Sequence, residues 1–405
     1  MVSLLMSVTS EKNKIALVEY QGRHDKNGDA VGHAPKVFAE YLAYVDDDFI
    51  AECFIPGVIL KTAIKQGRNE AMLKKASDEK RLHRLPYSIN MEKNKSFTDR
   101  IKNKLYMFAN IRAALKNAGA DKLWFFNTEY YFWLYLFIAG THGKEIYATT
   151  FMEGFKAGKN GRFSGIKQRI FEAATKKAKL IISTGPSFEF KNAEHIFIPD
   201  YAYEEQMYKT AAERILEGKI LYGDEPEEIK EFIGKYGTSG FAICAGTMNP
   251  EKKLEEAVEV FSKNAYPLLI AGRFYDKERY KRLKEAAAEN VCVCDVYLSR
   301  ESYTALLSAA EYALLPYAPD QYSSQTSGVL QEAVFADTIA LSYGAVLEGN
   351  YIPGLSFSSM NALTDERLKM KKEEAAAIHK EYGRLRKEVY AKDKIKEKLC
   401  AAFES

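Results

Sequence analysis

Between Ser323 and Ala333 the chain gathers hydroxyls, a glycine and a carboxylate: Ser323-Ser324-Gln325-Thr326-Ser327-Gly328-Val329-Leu330-Gln331-Glu332-Ala333. Val329, Leu330, Ala333, Val334 and Ala336 fall on one helical face, so the stretch reads as a polar loop entering a helix. Ser327 or Gly328 would stand at the N-cap. A helix N-terminus offers unpaired N–H groups and a positive dipole, and both attract phosphate. Glu332 sits one turn in, beside the apolar face, where an unpaired carboxylate is costly to bury. An ordinary capped helix with an edge glutamate fits the same residues, so the surrounding elements have to decide.

An apolar run, Tyr312–Tyr317, precedes the loop and reads as a buried strand closed by Pro316 and Pro319. It is the fourth strand of an alternation that starts at Gly240–Ala245 and continues through Pro267–Ala271 and Val291–Val296. Helices are expected at Lys253–Lys263, Tyr275–Glu289 and Ser302–Ala310, and a further strand at Thr338–Ser342. A similar alternation fills the first two hundred residues. Strands are expected at Lys14–Tyr20, Phe49–Leu60, Arg84–Ile89, Leu123–Phe126, Glu145–Thr149, Leu180–Ser183 and His195–Ile198. Helices are expected from the opening His33-Ala34-Pro35-Lys36 to Tyr44, from Ile101 to Ala118 and from Phe163 to Ala178, with a further aromatic helix from Glu129 capped by Asn127-Thr128. The first strand runs into a glycine-bearing loop, Gln21–Gly32, and then a helix, the opening of a doubly wound α/β domain.

The fold class is therefore α/β, with two Rossmann-like doubly wound parallel-sheet domains. The expected division is 1–205, a helical connection over 206–236, a second domain over 237–365, and a charged helical tail over 366–405. No GxGxxG follows the first strand, so a dinucleotide fingerprint is absent.

Composition sets the class. At 405 residues, 47% hydrophobic and 28% charged, the chain is globular and long enough for two cores. A net charge of +3 is too small to argue for nucleic acid. The charge is unevenly spread: Lys61–Lys122 holds 16 Lys/Arg against 6 Asp/Glu. A solvated helical surface explains such a run, and so does a face turned to anionic lipid or a phosphorylated acceptor. Five cysteines, Cys53, Cys244, Cys292, Cys294 and Cys400, form no CxxC, which suits a reducing cytoplasm. No signal peptide is read, and Tyr130–Ala139 is about half the length of a membrane span. Asp46-Asp47-Asp48 reads as a solvated loop, and no Ser-His-Asp order, HExxH or P-loop lysine occurs.

The second half, from Ala242 to about Gly349, resembles the nucleotide-sugar domain of GT-B glycosyltransferases, in particular the retaining family 4 type. The resemblance rests on Gly246-Thr247-Met248-Asn249-Pro250-Glu251-Lys252-Lys253 against a G-R-x-x-x-E-K-G turn, and on Leu269-Ile270-Ala271-Gly272-Arg273. It also rests on Leu306-Leu307-Ser308-Ala309-Ala310-Glu311 with Leu314-Leu315-Pro316, and on Glu332 as the second acid of E-x7-E. Ser324 stands where the first acid is expected, and Thr247 where the family has arginine.

The resemblance implies a leaving diphosphate stabilised by Lys252 and by donors of Gly246, Thr326, Ser327 and Gly328. It places Glu332 on the ribose and Ser324 at the donor sugar; Thr247 replaces the family arginine in the donor site, and Arg273, at the end of the neighbouring strand and outside the motif, is the candidate substitute for it. In the first half, Gly32 and His33 would close over the donor, and Glu153 in Thr150-Phe151-Met152-Glu153-Gly154 would orient an acceptor hydroxyl. The resemblance also implies that the two domains face a cleft and that the tail crosses back to the first domain. Such enzymes need no bound metal and no cofactor besides the nucleotide-sugar substrate.

The expectation is thus a cytoplasmic glycosyltransferase of polysaccharide biosynthesis, peripheral to the inner face of the membrane. It would move a sugar from a nucleotide-diphosphate sugar to a glycan or lipid-linked acceptor, with retention, and would not bind nucleic acid. Thr247 and Ser324 leave room for a non-catalytic partner of a true transferase. A sugar-nucleotide epimerase or a phosphorylase is a third reading.

Overall fold

A computed structural model describes residues 14–30, 34–65, 70–91, 96–151, 164–317 and 326–404. It divides into two compact units, Met1–Ala202 with Lys392–Ser405, and Tyr203–Ala391.

The first unit contains β1 (Ile15–Glu19), β2 (Arg23–His24), β3 (Ile50–Pro56), β4 (Leu82–Leu85) and β5 (Ile89–Asn90). It continues with β6 (Lys122–Phe126), β7 (Glu145–Thr150), β8 (Leu180–Ser183) and β9 (His195–Phe197). Seven strands form a parallel sheet in the order β4-β3-β1-β6-β7-β8-β9, and β2 pairs with β5 in a small parallel ribbon. The strands β1, β6 and β8 are apolar runs rather than alternating ones because both faces are covered by helices. The chain enters at β1, builds outward to β4, then returns to build from β6 on the other side. The order reverses between β1 and β6, and open parallel sheets bind ligands at the carboxyl ends of strands at such a reversal.

The second unit holds β10 (Ala242–Ala245), β11 (Leu268–Gly272), β12 (Val291–Asp295), β13 (Tyr312–Leu315), β14 (Ile339–Tyr343) and β15 (Gly354–Phe357). Its order is β12-β11-β10-β13-β14-β15, and every pair is parallel. Here the reversal falls between β10 and β13.

Several boundaries differ from the sequence reading. Phe49 ends the helix Ala34–Phe49, β3 stops at Pro56, and Gly57–Lys65 is helical, so the expected strand through Leu60 is half helix. Apolar residues continue across that junction and hide the change of period. Asp46-Asp47-Asp48, expected as loop, is in the last turns of the helix Ala34–Phe49. The run expected as one strand over Arg84–Ile89 is two, β4 and β5, in different sheets. Glu129, not Asn127-Thr128, is the N-cap of the helix Tyr130–Ala139, and Asn127 takes φ +54° to turn the chain out of β6.

The helices Glu205–Leu216 and Glu227–Tyr236 fall within the second unit. The first lays Tyr208 against Phe335, 5.9 Å between ring centroids. The charged C-terminal stretch divides. Lys372–Glu388 lies in the second unit, where the Tyr382 hydroxyl receives the Ala340 N–H and donates to the Pro353 carbonyl. Lys392–Glu404 lies in the first unit. Its Phe403 is fully buried against Trp124, Tyr147 and Phe49, and Lys122 donates to the Phe403 carbonyl at 2.6 Å.

Candidate functional site

At the reversal of the second sheet, β10 ends in a turn that only glycines permit. Gly246 adopts φ +93°, a conformation that side chains rarely take. The Gly246 carbonyl crosses the end of β11 so closely that a Cβ on Gly272 would lie 1.7 Å from it. The Met248 N–H then donates to the Arg273 carbonyl, fixing the turn along β11. On its other side the turn bridges Lys252 to Tyr317 and donates the Lys253 N–H to the Pro316 carbonyl. The turn thus spans the mouth between β10 and β13.

Lys252 is 3% exposed. Its Nζ donates to the Ala245 carbonyl at 2.8 Å and lies 5.6 Å from the Tyr317 ring centroid. The ammonium is therefore held at the strand end rather than swinging in solvent, with a second N–H toward the Met248 sulfur at 3.9 Å. Beneath the turn lies Arg279, from the helix Lys277–Ala286. It donates to the carbonyls of Asn249 and Lys252 at 2.8 and 2.7 Å, and bidentately to Glu255 at 2.7 and 2.6 Å. The Arg279 hydrogen bond holds the Glu255 carboxyl below its ordinary range. Neither Arg279 nor Glu255 stood out in the sequence, because a turn brace from a later helix has no local pattern.

The helix Gly328–Ala336 begins beside this turn; the nearest atom to a Cβ placed on Gly246 is Val329 Cγ2, at 3.9 Å. Ser327 is its N-cap and is buried, yet makes no side-chain cap bond, so its hydroxyl does not cover the first N–H groups. Thr326 is half-buried just ahead of it. One turn into the helix, the Tyr303 hydroxyl donates to Glu332 Oε2 at 2.6 Å. Burial, and then the Glu332 charge, push the Tyr303 phenol well above its ordinary pKa, so Tyr303 stays a donor. Tyr303 is a residue that sequence reasoning missed. It lies on the helix Arg300–Ala309, and only the fold brings it to Glu332.

Gly246, Lys252, Thr326, Ser327, Gly328 and Glu332 therefore belong to turns and a helix start around one strand reversal. Thr247 is exposed at the head of the turn. Arg273 is one strand away at the end of β11, exposed, its guanidinium 4.9 Å above the Tyr297 ring. Ser324, Gly32, His33 and Glu153 lie outside the described residues.

The first unit has its own polar cluster at the reversal between β1 and β6. Glu19 ends β1 fully buried, accepting the Gln21 N–H on Oε1 at 2.7 Å, while Oε2 has no hydrogen-bond partner. Gln21 reaches across to donate to the Asn127 carbonyl at 2.7 Å, and Arg23 pairs with Glu129 at 2.6 Å. Burial pushes the Glu19 carboxyl up to about 8, against the backbone N–H groups of Gln21 and Gly22 and the charge of Arg23. Among the described residues no cluster of His, Cys, Asp and Glu could hold a metal ion.

No protein-family model matches the sequence, and no curated protein matches it significantly. Solved structures do match, over nearly the whole chain. The N-terminal domain of a trehalose-6-phosphate phosphatase from Candida albicans aligns at TM-score 0.65 and 10% identity, covering 96% of this chain and 98% of that one. A UDP-forming α,α-trehalose-phosphate synthase from Burkholderia xenovorans, in complex with glucose-6-phosphate, aligns at TM-score 0.59 and 12% identity, covering 97% and 100%. AviGT4, a glycosyltransferase involved in avilamycin A biosynthesis, aligns at TM-score 0.54 and 14% identity, covering 96% and 97%. The chain has the GT-B fold, two Rossmann-like α/β units in one polypeptide.

Proposed function

We propose that the chain is a glycosyltransferase that takes a sugar from a nucleotide-diphosphate donor bound at the reversal of its second sheet. The observation that carries this reading is the grouping there of a glycine turn, a lysine ammonium and a helix start whose glutamate is held by a tyrosine. Each part suits one part of such a donor. The helix N-terminus and Lys252 suit the diphosphate, and the Glu332 carboxylate suits ribose hydroxyls. In the transfer, the bond from the anomeric carbon to the diphosphate oxygen breaks and one to an acceptor oxygen forms. The acceptor hydroxyl gives its proton to the departing diphosphate, and fixed donors stabilise the charge that gathers there. Fold neighbours described as UDP-forming synthases and a glycosyltransferase support the class. Retention of configuration, a glycan or lipid-linked acceptor on the first unit, and work at the inner membrane face follow the resemblance to the retaining type.

One observation favours a second reading. Lys252 is almost wholly enclosed and already bonded to Ala245, and Thr247 stands where a second cation would help, which suits a non-catalytic partner of a transferase.

One experiment separates the two. The purified protein is titrated with UDP, GDP and ADP while thermal unfolding is followed. A nucleotide at a hundred times its dissociation constant stabilises the site by about 2.7 kcal/mol. Glu332→Ala should weaken that binding more than Ser324→Ala. No stabilisation by any nucleotide would overturn the donor-site reading and leave the partner reading standing.

A further inference from the structure

The first unit carries an apolar and basic surface that neither sheet reversal uses. The helix Phe97–Asn117 buries Met107, Asn110, Ile111, Ala114 and Leu115, which lie in its C-terminal half. In its N-terminal half Phe97, Ile101 and Leu105 follow one another every fourth residue, and they are 78%, 41% and 59% exposed. A soluble surface rarely spends three large apolar side chains on one exposed stripe.

The stripe continues sideways. Helix Phe97–Asn117 packs on Tyr130–Ala139, with Phe108 edge-on to Tyr135 at 5.5 Å, and Tyr130–Ala139 packs on Ser164–Thr175, with Trp133 edge-on to Phe171 at 5.4 Å. Across these three helices runs an alternation of lysine and tyrosine. Lys104 lies 4.9 Å from the Tyr131 ring, Tyr131 lies 5.5 Å from Tyr130, and Lys167 lies 5.7 Å from the Tyr130 ring. Ile166, 57% exposed, stands next to Lys167. Lys102 adds a charge 5.5 Å from Tyr106. Asp99, the acid nearest the stripe in sequence, is turned into its own helix start, where its carboxylate accepts the Ser96 hydroxyl. Tyrosines and lysines around exposed aliphatic and phenyl groups are the pattern of a protein surface seated at lipid headgroups.

Direction matters too. In a parallel α/β unit each helix starts at the carboxyl end of the strand before it. Phe97, Tyr130 and Ser164 therefore begin their helices at the ligand-binding end of the sheet, and the stripe lies at that end. No described helix is long and apolar enough to cross a membrane.

We propose that this face of the first unit docks on an anionic lipid bilayer, Phe97, Ile101, Leu105 and Ile166 entering the headgroup boundary and Lys102, Lys104 and Lys167 meeting lipid phosphates. The proposal is independent of the donor site, since it needs no nucleotide. The full-length protein is floated with vesicles of neutral phosphatidylcholine and with vesicles containing phosphatidylglycerol. Binding is expected to the second set and to fall with salt. Phe97→Ser combined with Leu105→Ser should lower partition at least about tenfold, as should Lys102→Glu combined with Lys104→Glu. None of the four positions is buried, and an unchanged midpoint of thermal unfolding without nucleotide reports that the variants fold. Equal binding to neutral and anionic vesicles, equal binding by the variants, or self-association abolished by Phe97→Ser without vesicle binding would each overturn the proposal.

Discussion

Glu19 makes the first unit pH-sensitive in a direction that can be worked out in advance. Its carboxyl is fully buried and titrates at about 8, against an ordinary 4.5. Between those values the folded chain keeps a proton that the unfolded chain has released, so stability falls as pH rises. The favourable contribution is whole below about 4.5 and is lost by about pH 8. A displacement of this size corresponds to at most about 5 kcal/mol. Glu19→Gln imitates the protonated acid: it keeps an acceptor for the Gln21 N–H and does not titrate. The variant should therefore gain on the parent by about 3–5 kcal/mol between pH 5 and pH 8. Urea unfolding followed by tryptophan fluorescence measures this directly, because both tryptophans, Trp124 and Trp133, lie in the first unit beside Glu19's sheet. A constant offset between variant and parent across that range would refute the argument. It would mean that Oε2 finds a charge or solvent partner that holds Glu19 ionised.

Two further expectations are local. Tyr303→Phe removes the hydroxyl that orients Glu332 and should weaken nucleotide binding about tenfold, read from the thermal titration; altered stability with unchanged affinity would reduce Tyr303 to packing. Phe403→Ala should cost the first unit about 3–5 kcal/mol in the same fluorescence assay, because Phe403 fills a gap between Trp124, Tyr147 and Phe49; a loss under 1 kcal/mol would show the C-terminal helix to be dispensable.

The alternation of apolar runs and amphipathic segments made both parallel sheets legible, since strands covered on both faces read as short unbroken hydrophobic runs. Legibility failed where period and burial disagreed. At Phe49–Leu60 apolar residues run straight from a helix end through β3 into another helix, and at β15 four residues between Pro353 and Ser358 are too few to show a period. Gly354 explains why β15 can pair at all: a Cβ there would stand 2.3 Å from the Ala340 carbonyl. In the second unit, the glycines and the residues of the helix start were visible because backbone geometry demands particular residue types. The partners that hold them were not. Tyr303 and Arg279 come from helices 29 and 27 residues away in sequence, and nothing in the local pattern of either marks its task.

Arg279 also bears on what the turn can do chemically. The resemblance led to an arginine at position 247, and the chain has threonine there. A guanidinium is nonetheless present close by, but it lies under the turn, 7% exposed, with Glu255 and two carbonyls already engaged. A cation so paired contributes little net field to a ligand above the turn, because Glu255 offsets its charge within hydrogen-bond distance. What it does contribute is rigidity, holding the carbonyls of Asn249 and Lys252 and hence the backbone that carries the Lys252 side chain. On the proposed function, the charge left on the departing diphosphate must then rest mainly on Lys252 and the helix start at Gly328. Lys252→Met should consequently depress transfer far more than binding of the intact nucleotide-sugar donor, since the charge that the ammonium meets on the departing diphosphate is not yet developed in the bound donor and Glu332 holds the ribose equally in both states.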